Sequence, residues 1–354
     1  MKVGLFNPYF RTMGGGERYF LTLAEFFLKR GDSTDIFWDG ERDLTKIKTR
    51  FNLDLTGVNF VRDIFNGQSN RWQRIMSTTR YDLVFFLSDG SIPVSFAREN
   101  ILHFQVPFNR NFKTLSNAAK FLKVNAVVCN SQFTKAYIDL AFGIKSRVIY
   151  PPVDVSSFSP GKKENIILSV GRFFGPSHPK KQEIMIREFV GLYKKGLKNW
   201  KLILVGGLTS GNEEDVERLR EKSTGYPIRI ITDSSFPILK DYYGRAKIYW
   251  HAAGYGENLE ENPQKAEHFG ITTVEAMSAG CVPVVFAAGG QLEIVDDGKT
   301  GYVWKSTEEL REKTLALAKD EKLLADLSQK AAIRSKDFSI GRFFDNWEAL
   351  LSNL

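Results

Sequence analysis

Twice along this chain of 354 residues, short and almost wholly apolar runs alternate with longer amphipathic stretches, and one proline-rich segment separates the two series. Residues 2–7 (KVGLFN), 82–87 (DLVFFL), 101–105 and 126–129 have the length and composition of buried strands. A glycine-rich turn and a helical pattern over 17–30 follow the first of them, and Ser131 is placed to cap the helix after Asn130. Buried strands alternating with helices predict parallel sheets covered on both faces. Segment 150–163 then brings Pro151, Pro152 and Pro160 among Ser156, Ser157 and Ser159. Proline fixes φ and removes a backbone donor, so this segment reads as an interdomain linker. Strand 165–170, a helix near 182–194, strand 201–205, a helix near 213–222 and strands 228–232, 248–251 and 282–286 resume the alternation, and helical patterns fill most of 307–354. The expectation is an α/β chain of two open, parallel-sheet, Rossmann-like domains. Its ligand is expected in the cleft between them, beyond the carboxyl ends of the strands.

Composition narrows the class. With 43% apolar and 25% charged residues the chain is not a disordered or low-complexity protein. No run reaches the ~18 apolar residues of a spanning helix. The opening MKVGLFNPYF turns polar too soon for a signal peptide. Cys129 and Cys281 are too few for a disulfide framework or a zinc site, so a reducing cytoplasm is expected. Residues 1–154 hold 21 Lys and Arg against 14 Asp and Glu, a net +7 of the chain's +8. That field attracts a phosphorylated substrate, an anionic membrane or nucleic acid, or else belongs to a solvated basic face. No nucleic-acid-binding motif accompanies it.

Three stretches carry candidate chemistry. In 13–17 (MGGGE), Gly14, Gly15 and Gly16 expose backbone N–H groups at a helix start, suited to an anion or simply to a permissive turn. No G-x-G-x-x-G fingerprint follows any expected strand, which disfavours a nicotinamide enzyme. In 171–181 (GRFFGPSHPKK), Arg172 ends a strand while Lys180 and Lys181 precede a helix, and no acid lies between them. They form a diphosphate clamp or a solubilising cluster. The most specific string is 267–285 (EHFGITTVEAMSAGCVPVV). Phe269, Gly270 and Ile271 form a tight loop, and the helix from Thr272 offers free N–H groups at Gly270, Ile271 and Thr272. Glu267 precedes that helix. Glu275, one turn in, accepts hydroxyl hydrogen bonds, as suits a vicinal diol.

With E-x-F-G-I, E-A-M, A-G, P-V-V, Gly289–Gly290 and Glu293, the chain resembles the retaining glycosyltransferases of the E-x7-E type, family 4-like and group 1, over nearly its whole length. Gly15–Arg18, His103 in HFQVPF, NSQFT at 130–134, YPPVD at 150–154, Gly171–Arg172 and Lys180 match as well. The resemblance implies a GT-B fold: an acceptor-binding domain over 1–154, a nucleotide-sugar domain over 155–337, and a C-terminal helix, 338–354, crossing back to the first. It implies that Arg172 and Lys180, or Lys181, grip the diphosphate together with the turn at Gly15 and Gly16. Glu275 would hold the ribose, Glu267 the donor sugar beside Phe269, Gly270, Ile271 and Thr272, and His103 would approach that sugar. His103, ending an apolar strand, is alternatively a satisfied core residue; His178 and His251 read as structural or surface.

The expected activity is transfer of a hexose, with mannose favoured by the E-H-F-G-I form, from a GDP- or UDP-linked sugar to a glycan or lipid-linked acceptor. Cations and N–H groups would stabilise the departing diphosphate, and no D-x-D motif suggests a metal. No cofactor is expected beyond the substrate nucleotide sugar. Asp89 and Arg110 are candidate acceptor contacts, Asp89 being equally a turn cap. The segment 109–123 mixes Arg110, Lys113, Lys120 and Lys123 with Phe112, Leu115, Phe121 and Leu122. It is either a helix resting on the anionic inner face of the cell membrane or an ordinary helix packed on the sheet. Other readings are a GT-B epimerase or phosphorylase, and a non-catalytic module binding a polyanion or membrane. Only the transferase consumes an acceptor, and only the epimerase inverts a donor stereocentre.

Overall fold

The structure is a computed structural model that describes residues 1–10, 14–39, 51–65, 70–173, 180–208 and 211–354. Met13 and His178 therefore lie outside the described residues, as does the middle of the loop between Arg172 and Lys180. The chain divides into two compact units, Met1–Pro152 with Ile340–Leu354, and Val153–Ser339. The division falls inside the proline-rich segment.

The first unit is built on a seven-stranded parallel sheet in the order β3-β2-β1-β4-β5-β6-β7. Its strands are β1 (Lys2–Phe6), β2 (Ser33–Phe37), β3 (Asn59–Val61), β4 (Leu83–Ser88), β5 (Glu99–Phe104), β6 (Ala126–Cys129) and β7 (Arg147–Val148). Side chains alternate across the sheet. Val3, Leu5, Phe85 and Ile101 enter one core layer; Phe6, Val84, Phe86 and Leu102 enter the other. Helix α1 (Gly15–Lys29) covers the first layer. Two short helices, α2 (Arg71–Thr78) and α3 (Leu115–Phe121), and the longer α4 (Gln132–Phe142) follow among the described residues. Ser131 caps α4 by accepting the Thr134 amide at 3.0 Å.

The second unit repeats the winding order in six strands, β10-β9-β8-β11-β12-β13. These are β8 (Glu164–Val170), β9 (Lys201–Gly206), β10 (Ile228–Thr232), β11 (Ala246–His251), β12 (Val282–Phe286) and β13 (Tyr302–Trp304). Helices α5 (Gln182–Lys194), α6 (Glu213–Ser223), α7 (Phe236–Arg245), α8 (Ile271–Ser278), α9 (Gln291–Ile294), α10 (Thr307–Lys319) and α11 (Glu321–Ser335) surround it. Numbered within each unit, both orders begin 3-2-1-4-5-6, so each sheet reverses direction beside its first strand. That switch point is where doubly wound sheets hold ligands.

The last helix, α12 (Ile340–Leu351), belongs to the first unit. Phe343, Trp347 and Leu350 recur at helical spacing and are buried. Phe343 meets Tyr19 edge-on at 4.9 Å and Trp347 meets Phe85 at 5.7 Å.

Candidate active site

At the switch point of the second unit, β8 and β11 lie side by side, and their carboxyl ends lead to Gly171–Arg172 and to His251. Glu267 joins the two. Its Oε2 accepts Lys180 Nζ at 2.6 Å and faces His251 Nε2 at 2.8 Å. Burial alone would raise the Glu267 pKa, but the Lys180 ammonium and the His251 hydrogen bond outweigh it and hold the carboxyl well below its ordinary value. The residue is therefore a carboxylate at neutral pH.

Two glycines hold Glu267 in place. The Gly290 amide donates to the Glu267 carbonyl at 2.8 Å. A Cβ on Gly289 would lie 2.1 Å from that same oxygen, and one on Gly290 would lie 2.4 Å from the Phe269 α-carbon. Only a residue without a side chain permits this approach. Gly270 caps α8 at φ 124°, a conformation open to glycine, and a Cβ there would meet Gln291 Nε2 at 2.5 Å. The amides of Ile271 and Thr272 occupy the first turn of α8, where helix N–H groups have no intrahelical partner. The Phe269 ring turns inward against Phe338 at 5.4 Å, so this residue offers the loop its backbone rather than its side chain.

Glu275 lies one turn into α8 and is buried, with its carboxylate accepting the Tyr243 hydroxyl at 3.0 Å. Tyr249 donates to Thr272 Oγ1 at 2.8 Å. Burial and then the charges of Glu267 and Glu275 push the Tyr249 pKa upward, so both glutamates act on one phenol. Arg172 is exposed, and its carbonyl accepts Gln182 Nε2 at 3.2 Å. Lys181 takes a different place from Lys180. It sits at φ 59° ahead of α5 and pairs with Glu257 at 2.5 Å, and Lys265 holds the other oxygen of that carboxylate at 2.7 Å.

In the first unit the glycine turn opens α1. The Gly14 amide is occupied by Glu17 Oε2 at 2.6 Å, and Gly15 and Gly16 are the first two helical residues. The cleft-facing position expected of His103 is corrected. β5 continues to Phe104, so His103 lies inside the strand and its ring is completely buried. Tyr19 stacks on it at 4.1 Å, and Nδ1 meets the Val128 carbonyl at 3.1 Å. Burial drives its pKa down to about 3 against that carbonyl's opposing pull, so the ring is neutral.

Asp89 caps its turn, as one of its two readings has it. Its Oδ1 accepts the Ser91 amide at 3.0 Å, and it lines a cavity of about 1190 Å³ with Phe6, Arg74, Phe96, Lys120 and Lys123. Arg110 is exposed and outside that lining. Along 109–123, Phe112 and Phe121 pack against the core, whereas Leu115 and Leu122 are 92% and 85% exposed. Among the described residues, no group of three or more His, Cys, Asp or Glu is placed to hold a metal, and no helix is long and apolar enough to cross a membrane.

Sequence reasoning missed His251, Tyr243 and Tyr249. The signal for His251 was its place as the last residue of an apolar run, where a central strand ends at the switch point. The two tyrosines stand in core positions, and only the packing of α7 and β11 on α8 reveals their hydroxyl partners.

Two doubly wound units carrying a lysine–glutamate–histidine cluster beside a helix N-terminus define a GT-B-type sugar-transfer scaffold. The chain belongs to the glycosyl transferases group 1, whose family model matches residues 154–334, and residues 13–157 match the glycosyltransferase family 4 model. Among curated proteins it is similar to the GDP-Man:Man(3)GlcNAc(2)-PP-Dol alpha-1,2-mannosyltransferases. The Xenopus laevis protein is 29% identical over 62% of this chain and 46% of its own length, and the Dictyostelium discoideum protein 26% over 67% and 48%. The chain thus spans about half the length of these relatives. The Rhizobium leguminosarum lipopolysaccharide core mannosyltransferase LpcC is 22% identical over 63% of this chain and 65% of its own. Among solved structures, Anabaena Alr3699/HepE in complex with UDP and glucose aligns over all of both chains at TM-score 0.72 and 18% identity. A Rickettsia africae glycosyltransferase aligns over 99% and 97% at 0.77 and 17%. These likenesses show the fold.

Proposed function

We propose that the chain transfers mannose from GDP-mannose to a hydroxyl of a lipid-linked saccharide, with retention of anomeric configuration and without a metal. The Lys180–Glu267–His251 cluster beside the first turn of α8 carries this reading. The names of the curated relatives support the choice of donor and acceptor.

In this reading the diphosphate takes Lys180, Arg172 and the amides of Ile271 and Thr272. Glu275 accepts the ribose hydroxyls and Glu267 a hydroxyl of the sugar. As the anomeric C–O bond breaks, its electron pair passes to the phosphate oxygen, where fixed cations and N–H groups stabilise the charge. The acceptor oxygen forms its bond to the same face of the sugar, and its proton goes to the departing phosphate. Neither His103 nor a dedicated base is needed.

The cavity beside Asp89 is the proposed acceptor region, its lysines and arginine facing an anionic lipid-linked headgroup. Exposed Trp72 and Met76 on α2, with Leu115 and Leu122 at α3, would rest on an anionic membrane at its cytoplasmic face.

A thermal-shift screen of GDP-, UDP-, ADP- and TDP-sugars tests the donor, because a ligand that binds only the folded state raises Tm. GDP-mannose should give the largest shift. NMR of the product should then show an unchanged anomeric configuration, and EDTA should leave the rate intact. A changed donor stereocentre without transfer would indicate an epimerase. Phosphate-dependent cleavage would indicate a phosphorylase, and binding without NDP release a module that only binds.

A further inference from the structure

Behind the glycine turn of the first unit, two side chains are locked in one orientation by hydrogen-bond chemistry. His103 Nδ1 faces the Val128 carbonyl at 3.1 Å. A carbonyl only accepts, so Nδ1 carries the ring proton and Nε2 presents a lone pair. Tyr19, stacked at 4.1 Å, and Phe85, at 5.6 Å, fix the plane of the ring. Nε2 lies 3.1 Å from the side-chain nitrogen of Gln105, just past the end of β5. An acceptor there admits only the N–H end of the amide, and Oε1 must point the other way.

That oxygen arrives at the first turn of α1. A Cβ on Gly16 would lie 2.7 Å from it. Gln105 is half-buried, and among the described residues no protein donor bonds its Oε1. Its backbone is tied as well, with the carbonyl accepting Asn130 Nδ2 at 3.1 Å. The result is a fixed acceptor beside a glycine turn. An oxygen lone pair repels a phosphate and attracts a hydroxyl.

We propose that Gln105 reads a sugar hydroxyl through its amide oxygen, and that buried His103 is the positioning residue that sets the amide's orientation. The assignment rests on the sugar-transfer reading above. It replaces direct contact between His103 and the sugar with contact through the residue in front of it. The hydroxyl belongs either to the transferred mannose or to the acceptor, and binding distinguishes these sources.

Gln105→Leu keeps the shape and removes the acceptor. If the hydroxyl is the donor's, this variant loses about tenfold in GDP-mannose affinity by calorimetry, the size of one neutral hydrogen bond, while GDP affinity is unchanged. If it is the acceptor's, both affinities hold and kcat/KM for transfer to a mannoside falls about tenfold. His103→Phe gives a smaller loss, and the double variant is no worse than Gln105→Leu alone, because the two act as one unit. Unchanged GDP-mannose binding and transfer in Gln105→Leu would overturn the proposal, as would an equal loss of GDP affinity. A second readout needs no substrate: 15N NMR of histidine-labelled protein should show His103 as the Nδ1–H tautomer, and an Nε2–H signal would overturn the lock. If no nucleotide sugar binds while the tautomer is as stated, the function has failed and the positioning geometry stands.

Discussion

The two units wind their sheets in the same order, yet they use a histidine near the end of a central strand in opposite ways. In the first, His103 is sealed between Tyr19 and Phe85, bonded to a carbonyl and an amide, and kept neutral by burial. In the second, His251 ends β11 and meets an ionised carboxylate that also holds a lysine. The strands are neighbours in the winding order, β5 the fifth of its unit and β11 the fourth, and the elements laid over them differ. Tyr19 of α1 covers His103 on β5, backed by Phe343 of α12, whereas the glycine-bound loop before α8 reaches β11. A doubly wound sheet supplies positions, and the covering segments decide whether a position becomes core or chemistry.

If that contrast is right, charge removed from the second unit should cost turnover. Lys180→Ala removes the cation nearest Glu267 and is expected to lower the rate of NDP release by ~10²–10³-fold, the scale of losing one preorganised transition-state donor. A change under about threefold would place the phosphate cation elsewhere. The glycines behind the cluster should show their effect in stability. Gly290→Ala drives a methyl to 2.4 Å from backbone that cannot step aside, and a loss of ~1–3 kcal/mol or more is expected in urea unfolding. An unaffected midpoint would mean that the loop has room to move.

The contrast was only partly legible in the sequence. The buried strands were readable because β1, β4 and β6 are continuous apolar runs, and the α4 cap because Ser131 follows one directly. β2 was missed because Thr34 and Asp35 break its pattern, although Asp35 is buried and accepts the Tyr81 hydroxyl at 2.7 Å. β3 and β13, at three residues each, and β7, at two, are too short for periodicity to register. Glu267 and Lys180 were readable as a pair of motifs, but not their direct contact across 87 residues. For His103 the sequence left two readings open, an approach to the sugar and a satisfied place in the core, because the pattern over 101–105 does not say which side chains cover the strand.

Acidification probes the first unit's histidine. His103 stays neutral in the fold down to about pH 3, whereas in the unfolded chain it takes a proton near its ordinary value of 6.5. Between those values the unfolded state binds the extra proton, so stability falls as pH is lowered, by up to ~1.4 kcal/mol per unit. Above 6.5 the contribution is flat. His103→Phe should flatten the wild-type slope between pH 6.5 and 5, above the window in which depressed Glu267 loses its charge. Parallel slopes in the two proteins would show the ring to be titrating freely in the native state.

The smallest effect expected separates two adjacent lysines. Lys181 holds a left-handed φ of 59° and spends its ammonium on Glu257, which Lys265 also neutralises. Lys181→Gly relieves ~1 kcal/mol of backbone strain and gives up an ion pair of similar size, so the unfolding midpoint should barely move. Turnover should stay within about threefold of wild type, because the charge lost is not the one bound to Glu267. If instead this variant matched Lys180→Ala in NDP release, the diphosphate would have to reach the Glu257 triad, and the Lys180–Glu267 pair would be a structural tie rather than the clamp.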